Sequence, residues 1–349
     1  MAQIASAPVT RLRPGWLGVG FAAAAAAILI GVLVGPVALG PAEVLGALAG
    51  SLPFVDVDSG LSTRDAAILF ELRLPRVVLA GLVGATLAVA GAAYQGVFRN
   101  PLADPYLLGA AAGAGLGATL VIAYAPSTGS WPIEPLPLAA FAGALAGVGL
   151  AYALGRSGSR TRSSATLILA GVAVAAFFTA IQTYLQQRES DTLREVYSWI
   201  LGGLGTVGWR EVVLVLPYVL VGGAAIFLHR RLLDVLGIGD EEADSLGVRS
   251  ARVRLVVVAA ASLATAAAVA VSGLIGFVGI IVPHTVRLLA GASYRLVIPL
   301  SMLFGAAFLI LADTAARTTL APAEIPIGVV TALFGAPFFV LVLRRTRRV

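Results

Sequence analysis

The chain has 349 residues, of which 59% are hydrophobic and only 12% charged, and its mean hydropathy is +0.95. A soluble protein of this length needs far more charge on its surface, so composition excludes one and points to an integral membrane protein. All 24 basic residues are arginine and there is no cysteine, which removes disulfides and cysteine metal sites and leaves a net charge of +6 that does not titrate away.

Alternation of period two is absent, so the expected fold is all-α, a polytopic transmembrane helical bundle and not a barrel. Arg11 and Arg13 precede a first span, Trp16 to Val34, that is too long for a cleaved signal core. A mixed segment from Pro41 to Glu71 follows. Arg73-Leu74-Pro75-Arg76 opens the second span, Val77 to Val97, with Pro75 near a helix start where its missing N–H costs nothing. Arg99 to Pro105, with two prolines, enforces a break. In the third span, from Leu107, Gly109, Gly113 and Gly117 fall four apart, a small-residue face for another helix.

A turn at Trp131 to Pro137 leads into a fourth span ending at Arg156, Arg160 and Arg162. Ser163 and Ser164 open the fifth, which ends near Gln186; Arg188 to Arg194 faces the other side, and Trp199 to Val207 reads as a short re-entrant piece. Span six covers Val212 to Leu228. Span seven begins at Leu255, Ser272-Gly273 permits a turn, an eighth span contains Pro283, and Leu296 to Ala312 and Ile327 to Leu343 are the ninth and tenth. The two histidines, His229 and His284, are too scattered for a ligand cluster, and no metal site is expected.

Between spans six and seven lies a polar island, Leu232 to Arg254. Asp240 is placed to cap a short helix, Glu241 and Glu242 suit its positive end, Ala243 and Leu246 fall on one face, and Gly247 stops it. By these residues alone it is equally a grip for a partner or a well-capped connector. With ten spans and both termini cytoplasmic, seventeen arginines fall inside and seven outside: Arg64, Arg73, Arg76, Arg188, Arg194, Arg210 and Arg317. The inverted arrangement reverses that ratio. Span orientation also accounts for the high isoelectric point, so no nucleic acid is expected. Two arginines at 73 and 76 break the inside bias and ask for an anionic partner outside.

RLPR at 73–76, RNPLADP at 99–105, GDEEADSLGV at 239–248, SGLIGFVGIIVPHTVRLL at 272–289, and LADTAAR followed by APAEIPIGVVTALFGAPFF up to 339 together resemble the permeases of type II ABC importers for iron-siderophores, haem and vitamin B12. The resemblance covers nearly the whole chain and implies a single transmembrane permease domain over 1–349 in a bacterial cytoplasmic membrane. It further implies a homodimer with the pathway along its axis, two ATPase subunits below and a substrate-binding protein above. Gly239, Asp240, Glu241, Glu242, Ala243, Asp244, Leu246 and Gly247 then match the ATPase-coupling helix. Arg73, Arg76 and Arg317 match outer arginines that accept glutamates from the binding protein, and Ser163 and Ser164 match the inner gate. The resemblance names a ferric siderophore as the leading cargo, with vitamin B12 and haem as alternatives.

A sequence without lysine holds no phosphate-binding G-x-x-x-x-G-K-[ST] loop, so this chain is expected to be a transport subunit, not an enzyme, with no cofactor of its own and with ATP and magnesium on the partner ATPase. An ion-coupled secondary transporter is the reading from another class. It calls for acidic or histidine residues in mid-span, whereas the carboxylates here sit at span ends or in loops.

Overall fold

A computed structural model describes residues 14–51, 53, 60–125, 134–157, 164–205 and 208–346. Every regular element among them is helical. In chain order these are α1 (Pro14–Leu33), α2 (Pro41–Gly50), α3 (Thr63–Ala67), a π turn (Ile68–Arg73), α4 (Leu74–Phe98), α5 (Ala110–Tyr124), α6 (Pro135–Ser157) and α7 (Ser164–Arg188). A 3₁₀ turn (Ser190–Thr192) leads to α8 (Leu193–Ile200), α9 (Trp209–Leu236), α10 (Asp240–Ser245), α11 (Ser250–Ser272), α12 (Val278–Ala290), α13 (Tyr294–Thr318) and α14 (Ile327–Thr346).

Seven helical stretches are long and apolar enough to cross a bilayer, and Ala110–Tyr124, Val278–Ala290 and Ile327–Val340 are shorter apolar helices. Of the ten expected spans, α5 and α12, of 15 and 13 residues, are short, whereas α14 with 20 residues is as long as α1. At about 1.5 Å per residue, α5 and α12 reach only about 20 Å, less than a hydrocarbon core of roughly 30 Å. The remaining depth is irregular backbone at 99–109 and 273–277. Such backbone survives among apolar helices only where protein groups satisfy it. Here the Tyr106 hydroxyl donates to the Ile275 carbonyl (3.1 Å) and accepts from the Ile275 N–H (3.2 Å), tying the two breaks together.

The same reasoning explains a buried glutamine. Pro283 has no N–H for the carbonyl four residues back, Gly279. Gln95 Nε2 donates to that carbonyl at 3.0 Å and to the Ala103 carbonyl at 3.3 Å.

The core consists of α4, α11 and α13, whose spanning windows are 78%, 72% and 61% buried, against 22–28% for the other long helices. Small residues let these backbones touch. A Cβ at Gly91 would lie 2.1 Å from the Gly279 carbonyl oxygen of α12. The expected face on α5 packs against α6 in the same way: Gly113 meets Gly143, and Gly117 meets Ala139.

The second span differs from expectation. Its helix begins at Thr63, well before Pro75, and runs to Phe98. The π turn stands immediately ahead of Pro75, where the ring removes an amide from the helical ladder. Similarly, α11 begins at Ser250, five residues before the expected start, and so takes Arg254 into its first turns.

Candidate functional site at the two ends of the bundle

From Arg76 to Arg99, α4 covers roughly 34 Å at about 1.5 Å per residue, so the polar clusters around these two arginines lie on opposite faces of the bundle. The same two clusters are joined by α11, from Arg254 to Ser272, and by α13, from Tyr294 to Asp313. Three core helices therefore connect the two ends.

At the first end, α10 follows Gly239, whose φ of +139° suits glycine. Asp240 is the first helical residue and not the cap that the sequence suggested. Its carboxylate is occupied elsewhere: it accepts two hydrogen bonds from Arg254 Nη2, at 2.8 and 2.9 Å, and one from Arg99 Nη2 at 2.9 Å. Arg99 is itself the left-handed residue that ends α4. Asp244 Oδ1 accepts from the Ser250 N–H at 2.9 Å and so caps α11. Two carboxylates thus fasten α10 to the ends of α4 and α11. Asp240, Glu241 and Glu242 together place negative charge at the helix's positive end.

The helix stops at Gly247, as expected. Its φ is +81°, its N–H reaches the Asp244 carbonyl (3.0 Å), and the Val248 N–H reaches that of Ala243 (3.0 Å), the paired closure of a Schellman end. The expected shared face of Ala243 and Leu246 is not found. Ala243 is fully buried against the bundle, whereas Leu246 is 66% exposed and Ile238, just before the helix, 58% exposed. Leu246 is the C-cap residue of α10, and its N–H still bonds the Glu242 carbonyl at 3.2 Å.

At the opposite end, Arg73 and Arg317, expected on the outer docking surface, are buried, at 4% and 2% exposure. The cause is the C-terminus of α1, which leaves its last carbonyls without helical partners. Arg73 Nη1 donates to Val32 (3.0 Å) and Leu33 (3.4 Å), Arg73 Nη2 donates to Val37 (2.6 Å), and Arg317 Nη2 donates to Gly31. The Ile30 carbonyl is taken by the Val34 N–H (2.8 Å). Both guanidiniums are turned inward, onto the end of α1.

Arg76 remains at the rim and already has acidic partners. Its Nε and Nη2 hold both oxygens of Asp313 (2.8–3.1 Å), and its Nη1 and Nη2 hold those of Glu324 (2.8 and 2.9 Å). Asp313 is 1% exposed, and Glu324 is 40% exposed. The Arg76 hydrogen bonds keep the Glu324 carboxyl below its ordinary pKa. Both groups line a cavity of about 460 Å³, together with Glu134, Glu195, Glu211 and Trp199.

Sequence reasoning missed the pairing of Arg76 with Asp313 and Glu324, and that of Arg287 with Gln95 near the first end. No local spacing signals the former, whose partners lie 237 and 248 positions from Arg76. Ser163 lies outside the described residues; Ser164 is the first residue of α7, and its side chain also lies outside them. Among the described residues, no three His, Cys, Asp or Glu side chains group as metal ligands would.

The description of the FecCD transport family matches residues 23–345. The chain belongs to that family. The FecCD permease is 44% identical, over 82% of its own length and 75% of the relative's, to the cobalamin import system permease protein BtuC of Halobacterium salinarum. It is 40% identical to the iron(3+)-hydroxamate import system permease protein FhuB of Bacillus subtilis, over 80% and 72% of the two chains. A solved structure titled as an inward-facing conformation of a metal-chelate type ABC transporter is similar with a TM-score of 0.81 at 29% identity, covering 95% of this chain and 99% of that one. The FecCD permease is accordingly the multi-pass membrane subunit of an ABC importer, a transport subunit whose family carries no ATPase site of its own.

Proposed function

We propose that this FecCD permease works as a homodimer that moves a metal chelate inward, with two ATPase subunits against the α10 end and a binding protein against the Arg76 end. Both termini and α10 then face the cytoplasm, the side favoured by the seventeen-to-seven split of arginines. ATP and magnesium belong to the partner, and alternating access follows when movement of α10 rocks the bundle.

The observation that carries this reading is the build of α10. It is tied through Asp240 to both Arg99 and Arg254 and yet presents Ile238 and Leu246 outward. A loose loop would have no such ties, whereas a lever needs both an apolar contact and a rigid attachment. At the other end, docking is proposed for Arg76 and the acidic rim around it, with Arg73 and Arg317 holding α1 beneath. The gate proposed at Ser163 and Ser164 belongs to the connection between α6 and α7.

A ferric siderophore is the proposed cargo, supported by the iron-hydroxamate relative; the cobalamin relative at similar identity supports vitamin B12 as the second reading. Leu246→Arg tests the coupling assignment. A charge desolvated without a partner in the ATPase contact costs several kcal/mol, at least about 2. The variant is expected to reach the membrane normally, to lose co-purifying ATPase and to abolish transport in vesicles. Normal ATPase retention and normal transport would remove α10 from the coupling contact.

A further inference from the structure

A crevice of about 800 Å³ opens between α7 and the irregular segment that joins α4 to α5. One face of α7 forms its wall from Val172 to Thr183, about 16 Å of helix inside the spanning stretch Thr166–Arg188. The other wall is Asp104, Tyr106 and Leu107. Their depth is set by Pro105, which packs on Gly279: a Cβ there would lie 2.7 Å from Pro105 Cδ, and one on Gly91 of α4 would lie 2.1 Å from the Gly279 carbonyl oxygen. Gly91 is about 12 Å along α4 from Arg99 and about 22 Å from Arg76, so Asp104 sits within the membrane. Its segment, which the sequence places at the end of a span, is drawn into the bundle by that packing.

Asp104 is held but not neutralised. Its Oδ1 accepts from the Tyr106 N–H at 2.8 Å, and no arginine pairs with it among the described residues, whereas Asp234, Asp240 and Asp313 each pair with one. A carboxylate in that state is costly against hydrocarbon, so water or solute, not an acyl chain, is the medium that suits this crevice. The hydroxyls agree. In the packed helices Thr86, Thr119, Thr285 and Thr314 donate to the carbonyl four residues back. Thr179 and Thr183 are exposed instead, and their hydroxyls have no hydrogen-bond partner among the described residues. The remaining α7 residues of the wall, Val172, Ala175, Ala176 and Ala180, are apolar, so Asp104 is the one charge that lines it.

We infer that Asp104 sets the charge preference of the cargo path: it is a fixed negative charge on a water-filled wall, past which cationic and uncharged solutes move more readily than anionic ones. Between low-dielectric walls, a charge with no counter-charge acts on a passing ion with little screening. The inference rests on the homodimeric importer proposed above, and co-purification of the ATPase tests that reading separately.

The test uses Thr179→Cys in a chain that has no other cysteine. The assembled transporter in proteoliposomes, with and without ATP, is treated with a cationic trimethylammonium-ethyl methanethiosulfonate and with its anionic sulfonatoethyl counterpart. Each rate is divided by that reagent's rate with free cysteine. After this correction the cationic reagent is expected to react about tenfold faster. Asp104→Asn, which keeps an oxygen for the Tyr106 N–H, should bring the two rates within about twofold of each other, and Asp104→Glu should retain the preference. No reaction with either reagent in either condition overturns the inference, because the crevice is then closed to water. Equal rates in Thr179→Cys alone overturn it by leaving Asp104 uncharged, and a preference that survives Asp104→Asn overturns it by assigning the field to another group.

Discussion

A guanidinium has five N–H donors and no acceptor, which suits it to a helix end that presents several bare carbonyls at once. Arg73 does this for the end of α1, where Gly35 leaves room for its side chain: a Cβ there would lie 2.6 Å from Arg73 Nη2. The position needs hydrogen bonds more than charge. Arg73→Met should therefore strand the Val32 and Val37 carbonyls. Each orphaned carbonyl costs about 1–3 kcal/mol, and relief from burying a cation offsets part of that, so a net loss of about 2 kcal/mol is expected. The check is the midpoint of thermal unfolding of the purified transporter, with binding-protein capture measured on the surviving fraction at low temperature. A capping role predicts a lower midpoint with capture retained. A lost capture at unchanged midpoint would return Arg73 to the docking surface.

At the scale of elements, α10 shows what local sequence reveals and where it stops. The acidic start and the Gly247 stop were legible, because caps and left-handed turns depend on a few neighbouring residues. The Asp240 ties were not. They join residues 141 and 14 positions apart, and no local rule chooses Arg99 and Arg254 over the other arginines nearby. The same limit hid the burial of Arg73 and Arg317, whose hydrogen bonds span 41 and 286 positions. Short α5 and α12 were likewise read as full spans, since hydropathy sees apolar composition and not the tertiary hydrogen bonds that let backbone unwind at 99–109 and 273–277. If the ties make α10 a lever, Asp240→Asn should weaken them without altering the exposed face at Ile238 and Leu246. The expected result is ATPase retention within about twofold of wild type, with transport in vesicles reduced several-fold for each ATP hydrolysed. Transport that stays coupled would show that α10 transmits force without Asp240.

Across the whole molecule, the helical membrane bundle was written in composition, and the structure adds the short helices and which residues share an end. Arg76, Glu195, Asp313 and Glu324 line one cavity, while Arg99, Asp240 and Arg254 meet at the far end of α4. Ser190, in the 3₁₀ turn just before α8, belongs with the first group, since Glu195, Ser198 and Trp199 of α8 line that cavity; Ser245 closes α10 and belongs with the second. Both serines are exposed. In the orientation proposed above, in which arginine stays on the cytoplasmic side because moving a permanent charge across the bilayer is costly, Ser245 is expected in the cytoplasm and Ser190 outside. The absence of cysteine makes the test direct. In intact cells a membrane-impermeant maleimide should label Ser190→Cys and leave Ser245→Cys unlabelled, and in inverted vesicles the pattern should reverse. Since α4, α11 and α13 fix the two ends relative to each other, one labelled site determines every other. Labelling of Ser245→Cys in intact cells would therefore invert the entire bundle, placing Arg76 on the ATPase side and Leu246 where the binding protein approaches.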